Sequence, residues 1–215
     1  MGKYSYQDDL ARQCFECARQ SGRVNNLYFA RNPVKRFFVR RNFMNILSGL
    51  VYATIRENCL DFGPGMGIML PALAMEFKHV SAIDIDEKQL NSAKTIISKC
   101  EIGNVELVLG KEENELGMFE DSVFDCIIAD NVLEHIENTE GIISEFYRIL
   151  SENGALIISL PSQNSIYRMF ESENDGHVLR THSQIMDLIN KLRSQYSRFY
   201  EFDVFPFFKT FALTK

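Results

Sequence analysis

From Asn58 onward, short apolar runs alternate with stretches in which apolar residues recur every three or four positions. The runs near 58–62, 79–84, 104–109, 123–129 and 154–159 read as strands, and the segments near 66–77, 87–100 and 138–150 read as helices. Phe124-Asp125-Cys126-Ile127-Ile128-Ala129 and Ala155-Leu156-Ile157-Ile158-Ser159 are apolar almost without a break, as expected of strands covered by helices on both faces. This alternation predicts a doubly wound, Rossmann-like α/β domain. After Pro161 comes a polar stretch to about Arg180, then a helix from Ser183 to about Ser194. The final apolar runs, 199–204 and 207–213, are split by Pro206 and complete a seven-stranded, mostly parallel sheet with a C-terminal antiparallel hairpin.

The first 56 residues have a different pattern. A helix is expected around 6–20, a break at Ser21-Gly22, and a second helix introduced by Asn32-Pro33. Asn suits the cap and Pro the first helical position, where a missing N–H leaves nothing unpaired. Phe43, Ile46, Leu47 and Leu50 then follow helical spacing, so this helix has a face to bury. That face could cover its own domain or a neighbour's, which leaves the oligomeric state open. The expected organisation is an N-terminal helical extension or cap, 1–56, and a cofactor-binding domain, 57–215.

Charge sharpens the division. Residues 1–56 hold ten Lys or Arg against three Asp or Glu, whereas 57–215 hold thirteen against twenty-six, within a net charge of -6. An acidic body argues against general nucleic-acid binding, while a basic leader carrying Lys35, Arg36, Arg40 and Arg41 suits a solvated face or an anionic small molecule. No apolar stretch reaches the roughly 20 residues of a membrane span, and MGKYSYQDDLARQ is too polar for a signal peptide. The five cysteines lack framework spacing and read as reduced thiols of a cytoplasmic protein. Cys14 and Cys17 form a lone CxxC with no second pair to complete a zinc site, so no metal is expected.

The candidate chemistry starts at Leu60-Asp61-Phe62-Gly63-Pro64-Gly65-Met66-Gly67, at the end of the first strand. In open α/β sheets, ligands bind outside the carboxyl ends of the strands, where the order reverses. Glycines there permit positive φ and close backbone approach, and the helix that follows would offer N–H groups to a ligand. The dinucleotide fingerprint G-x-G-x-x-G would need a glycine at Ile68; here the third glycine falls one residue early, leaving G-x-G-x-G.

From about residue 57 onward, the chain resembles the class I S-adenosyl-L-methionine-dependent methyltransferases, of the type 11-like group. Their first motif looks like LDxGxGxG, matched by Leu60, Asp61, Gly63, Gly65 and Gly67. The resemblance implies that the glycine turn lies against the methionine part of the cofactor and that Asp61 orients its amino group. Ser81-Ala82-Ile83-Asp84-Ile85-Asp86 is similar to the second motif, which assigns Asp84 to the ribose hydroxyls and Ile85 to the adenine face. Two carboxylate oxygens suit a vicinal diol. Asp86 is expected to cap the next helix. Many relatives carry an aspartate for the adenine amino group after the third strand; here Lys111 stands there and cannot accept that hydrogen bond, which leaves the backbone or carboxylate of Glu112. Phe124 to Ile136 resembles "fDxVixxxvLeHi" and Arg148 to Ile158 resembles "RvLkpGGxlii".

By the same resemblance, Asp130 and Asn131 stand where sulfonium and acceptor meet. His135 is the candidate general base, or else a residue that orients its loop or lines the cofactor site. His177 and His182 bracket a segment similar to one near the substrate in relatives. The expected activity is methyl transfer to a small-molecule acceptor, possibly anionic, with Tyr28, Phe37 and 161–182 closing over it. The alternatives are a non-catalytic S-adenosyl-L-methionine-binding or scaffold protein and an NAD-dependent oxidoreductase. Ile68 and the absence of a Tyr-x-x-x-Lys pair disfavour the latter.

Overall fold

A computed structural model describes residues 5–22, 28–110, 115–161, 182–204 and 208–215 of the chain. Its strands are β1 (Asn58–Phe62), β2 (His79–Asp84), β3 (Val105–Leu109), β4 (Phe124–Asp130), β5 (Leu150–Pro161), β6 (Arg198–Val204) and β7 (Phe208–Thr214). They form one seven-stranded sheet in the order β3-β2-β1-β4-β5-β7-β6. The first five are mutually parallel, and β7 runs antiparallel to both β5 and β6. The doubly wound expectation holds, including the terminal hairpin. The order reverses between β1 and β4, so a cleft opens at the carboxyl ends of those two strands.

Helices cover both faces: α1 (Tyr6–Gln20), α2 (Pro33–Gly49), α3 (Leu70–Glu76), α4 (Glu87–Lys99), α5 (Thr139–Ile149) and α6 (His182–Arg193). Alternate strand residues serve opposite layers. Cys126, Ile128, Ala155 and Ile157 pack in the core with α1 to α4, while Ile127, Ala129, Leu156 and Ile158 pack in the core with α5 and α6. On α2 the stripe Phe43, Ile46 and Leu47, continued by Leu50, is buried against its own chain. Each such side chain contributes on the order of 1.5–3 kcal/mol. Ser5 and Asp8 form a capping box on α1, the Asn32 side chain accepts from the N–H groups of Val34 and Lys35, and Asp86 accepts from Lys88.

Two expectations need correction. The helix anticipated at 66–77 begins only at Leu70, because Gly63, Gly65 and Gly67 all adopt positive φ and the intervening N–H groups close tight turns. The N–H of Gly67 donates to the Pro64 carbonyl and that of Leu70 to the Gly67 carbonyl, so this short helix presents no row of open donors. The second correction concerns the thiols. Cys17 and Cys100 form a disulfide across 83 residues, with Cα atoms 5.9 Å apart, where α1 packs on the end of α4; Cys14, Cys59 and Cys126 are free and buried. Periodicity locates each helix but not the meeting of these two. Among the described residues, no helix is long and apolar enough to cross a membrane.

Candidate functional site

The switch-point cleft holds a cavity of about 540 Å³, within the usual size of small-molecule sites. Its floor is the 63–66 turn, one side is Ile83 to Asp86 with Gly110, and the other is Asp130 to Val132 with His135 and Ile136. Tyr28 closes it from the N-terminal segment.

The three glycines have different duties. A Cβ on Gly63 would lie 2.6 Å from Val132 Cγ2, and one on Gly67 would lie 2.6 Å from the Cβ of Ala93 on α4. Those two residues allow close packing of neighbouring elements. Only Gly65 has open space within 4 Å of where a Cβ would stand, and it lines the cavity, whereas Gly67 does not. Of the motif's glycines, Gly63 and Gly65 line the cavity and Gly67 is turned into the helix packing.

Two carboxylates face this turn. Asp84 is held by backbone N–H groups on both oxygens: Gly65 donates to Oδ2 at 3.1 Å and Asp86 to Oδ1 at 2.9 Å. Each oxygen retains a lone pair for a further donor. Asp61, one residue before the end of β1, is only 4% exposed yet lines the cavity. Burial pushes its pKa up to about 8, with Asp130 and Asp84 adding repulsion. No described residue donates a hydrogen bond to it. A buried carboxylate in that condition suits a cationic partner.

Asp130 ends β4 inside a polar network. Its Oδ1 accepts from Asn42 Nδ2 at 3.2 Å and Asn131 Nδ2 at 2.8 Å, and the Tyr28 hydroxyl also hydrogen-bonds to the carboxylate. Asn42, 3% exposed on α2, accepts in turn from the hydroxyls of Ser159 and Thr210 at 3.0 and 2.8 Å. Burial raises the pKa of Asp130 to about 6, while Ser159, Asn42 and Tyr28 restrain the rise by stabilising the anion. Burial, together with Asp130 and Asp61, sends that of Tyr28 well above its usual value. Asn131 adopts φ 50 and its backbone N–H donates to the Ser159 carbonyl, which turns the chain out of β4.

The structure thus brings Asp61, Gly63, Gly65, Asp84, Ile85, Asp130, Asn131 and His135 to one cavity. Ile85 is 66% exposed beside it, and His135 ends a 3-10 turn, Leu133–His135, at its rim. Lys111, Glu112, His177 and the 162–181 segment lie outside the described residues, as does the side chain of His182. Phe37 is 63% exposed, stacks edge-on with Phe38 and does not reach the cavity.

Among the described basic residues of the leader, Lys35, Arg36 and Arg40 stand away from the cavity. Arg40 donates to the Tyr28 carbonyl and lies over the Phe15 ring, Arg36 donates to the Ala30 carbonyl, and neither they nor Lys35 line the cavity. The residues that pattern reading missed are Asn42, Ser159 and Thr210. A single signal existed for Asn42, a polar residue adjoining an apolar helical stripe.

A switch-point cavity floored by a glycine turn, with a carboxylate at the end of each of the first two strands, defines a nucleoside-cofactor domain of the Rossmann-like class. Residues 60–158 match the family described as "Methyltransferase domain". Among curated proteins, the chain is 32% identical over 124 residues to the arsenite methyltransferase of Mus musculus, covering 52% of this chain and 33% of that protein. It is 28% identical over 126 residues to the mitochondrial ubiquinone biosynthesis O-methyltransferase of Schizosaccharomyces pombe, covering 58% and 45%. The matched parts therefore span a third to under half of those relatives. Among solved structures, the N-methyltransferase NodS from Bradyrhizobium japonicum, in complex with S-adenosyl-L-homocysteine, shares the fold with a TM-score of 0.64 at 16% identity, covering 94% of this chain and 97% of that one. Residues 60–158 thus match a methyltransferase domain on a Rossmann-like fold, and the cofactor these findings support is S-adenosyl-L-methionine. The residues fit that group: an unmatched buried carboxylate for an ammonium, a second carboxylate with lone pairs for a diol, and an unfilled space at Gly65.

Proposed function

We propose that the protein transfers the methyl group of S-adenosyl-L-methionine to a small-molecule acceptor. The observation that carries this reading is that Asp61 and Asp84 line one cavity with the Gly65 turn, whose N–H donates to Asp84. Asp61 would hold the cofactor's amino group, Asp84 its ribose hydroxyls, Ile85 its adenine face, and Gly63 and Gly65 its methionine portion, while Asp130 and Asn131 stand on the acceptor side. Lys111 and Glu112 are kept as the adenine-side candidates on sequence grounds, and His135 as the rim base. The bound cofactor supplies an electrophilic methyl group. The chain's own part is to hold the acceptor in line and to exclude water. Tyr28 serves that end by closing the cavity, fixed by Arg40 and packed on Phe15 and Phe43.

In this reading, residues 1–56 act as a helical cap on the 57–215 domain, and the compartment is the cytoplasm. A Cys17–Cys100 bond that persists in alkylation-quenched cell extracts would argue for an oxidising compartment instead. Calorimetry with S-adenosyl-L-methionine, S-adenosyl-L-homocysteine and NAD separates the cofactor classes; binding of NAD but of neither sulfur nucleoside would sink the proposal. A metabolite-extract screen for products heavier by one methyl group then separates an enzyme from a non-catalytic binding protein.

A further inference from the structure

The Asp130 carboxylate is the charge at the inner wall that the cofactor assignment leaves unused. Asp61 and Asp84 belong to the cofactor side, whereas Asp130 is tied to Tyr28 and Asn42, both from the N-terminal segment. Its hydrogen-bond donors Asn42 and Asn131, and the hydroxyls of Tyr28 and Ser159 that help stabilise its anion, are all neutral, and no lysine or arginine among the described residues pairs with it or lines the cavity. Neutral donors stabilise a buried carboxylate as an anion without cancelling its charge. In a low-dielectric cleft, an uncancelled charge attracts a counter-charge far more strongly than it would in water. The cavity lining also includes the apolar side chains of Phe62, Ile68, Met69, Val132 and Ile136, so the cavity suits an organic group that ends in one charged atom.

Resting on the methyltransferase reading, we propose that the acceptor is an amine: a small organic cation whose nitrogen is held against the Asp130 carboxylate beside the Tyr28 hydroxyl. The carboxylate binds the ammonium form and is placed to take a proton from it, freeing the nitrogen lone pair. Asn42 is a positioning residue, because it fixes Asp130 through Nδ2 while its own Oδ1 is anchored by Ser159 and Thr210. Tyr28 accepts from the nitrogen with the oxygen lone pair left free when its hydroxyl donates to Asp130.

The test uses the whole chain saturated with S-adenosyl-L-homocysteine and titrated with benzylamine, phenethylamine and n-butylamine. Benzyl alcohol, benzoate and benzyl phosphate serve as matched controls. The expected result is binding of at least one amine in preference to its controls, with Asp130→Asn weakening it by about tenfold or more. Circular dichroism and S-adenosyl-L-homocysteine affinity check that the variant is folded; should it fail to fold, Tyr28→Phe, which removes only the hydroxyl, is expected to weaken the amine and takes its place. Binding of no amine, tighter binding of benzoate or benzyl phosphate, or wild-type amine affinity in the folded variant would each overturn the inference while leaving the methyltransferase reading intact. Failure of the wild-type protein to bind S-adenosyl-L-homocysteine would instead sink both.

Discussion

Asp61→Asn should make the ligand-free protein more stable and the cofactor complex weaker, a combination that a purely structural carboxylate would not produce. Burial, with Asp130 and Asp84 adding to it, raises the folded-state pKa of Asp61 from 3.8 to about 8. The sign follows from the direction of the shift. Between these two values the folded protein holds a proton that the unfolded chain releases, so this contribution to stability is complete below about pH 4 and is lost as pH rises toward 8. At about 1.4 kcal/mol per pH unit, the window amounts to about 6 kcal/mol. Local relaxation and the neighbouring carboxylates lower what the substitution recovers, and a gain of about 2 kcal/mol at pH 8 is expected. For a domain of this size that is a rise of about 4–8 °C in Tm, shrinking toward zero at pH 4. Loss of a charge-assisted hydrogen bond should cost about tenfold or more in affinity for S-adenosyl-L-methionine. Unfolding curves from pH 4 to 8, with calorimetry at pH 7.5, measure both. A variant that is less stable than wild type at pH 8, or that binds the cofactor as tightly, would refute the argument that this carboxylate is held for a ligand's positive charge.

The remaining predictions concern packing, covalent structure and the buried network. Gly67→Ala meets Ala93 at 2.6 Å and sits at φ 76, so urea unfolding should show a loss of about 2–4 kcal/mol. Gly65→Ala meets nothing and should cost only about 1 kcal/mol of stability, while calorimetry shows reduced cofactor affinity because the added methyl occupies the cleft. Cys100→Ser opens a cross-link spanning 83 residues and should lower stability by about 2–4 kcal/mol without reductant, with no difference from wild type once dithiothreitol is present. Asn42→Ala strips three hydrogen bonds from buried partners and should cost about 3 kcal/mol in thermal unfolding.

What the sequence revealed depended on the range of the interaction involved. The strands from Asn58 to Phe62 and Phe124 to Asp130 were legible because an apolar run between turn signals is a local pattern, and Asn32 and Asp86 were legible because a cap bonds its own helix. Asp61 and Asp84 were singled out by their resemblance to family motifs, and both line the same cavity. The start of α3 at Leu70 was misplaced because three positive-φ glycines at alternate positions consume the residues that would have formed its first turn. The Cys17–Cys100 bond and the Asn42–Ser159–Thr210 cluster were invisible, since their members are separated by 83, 117 and 168 residues and meet only after the sheet and both leader helices have packed.

The same topology explains why the acidic residues converge. Asp84, Asp61 and Asp130 stand at or next to the carboxyl ends of β2, β1 and β4, which are neighbours in the sheet although the last lies 46 residues beyond the second strand. The reversal of order at β1 and β4 turns three strand ends toward one opening, where backbone N–H groups hold Asp84 and neutral side chains hold Asp130 without neutralising them, and Asp61 has no donor among the described residues. Burial of Asp61, with repulsion from Asp130 and Asp84 added to it, and burial of Asp130 oppose folding as pH rises. Positive charge arriving in ligands relieves that repulsion, so each ligand that brings a cation should strengthen folding most at alkaline pH and should release protons on binding near neutrality. The cleft is then a place where folding energy has been withheld and is returned on ligation, and the glycine turn with its two flanking carboxylates sets which ligand can return it.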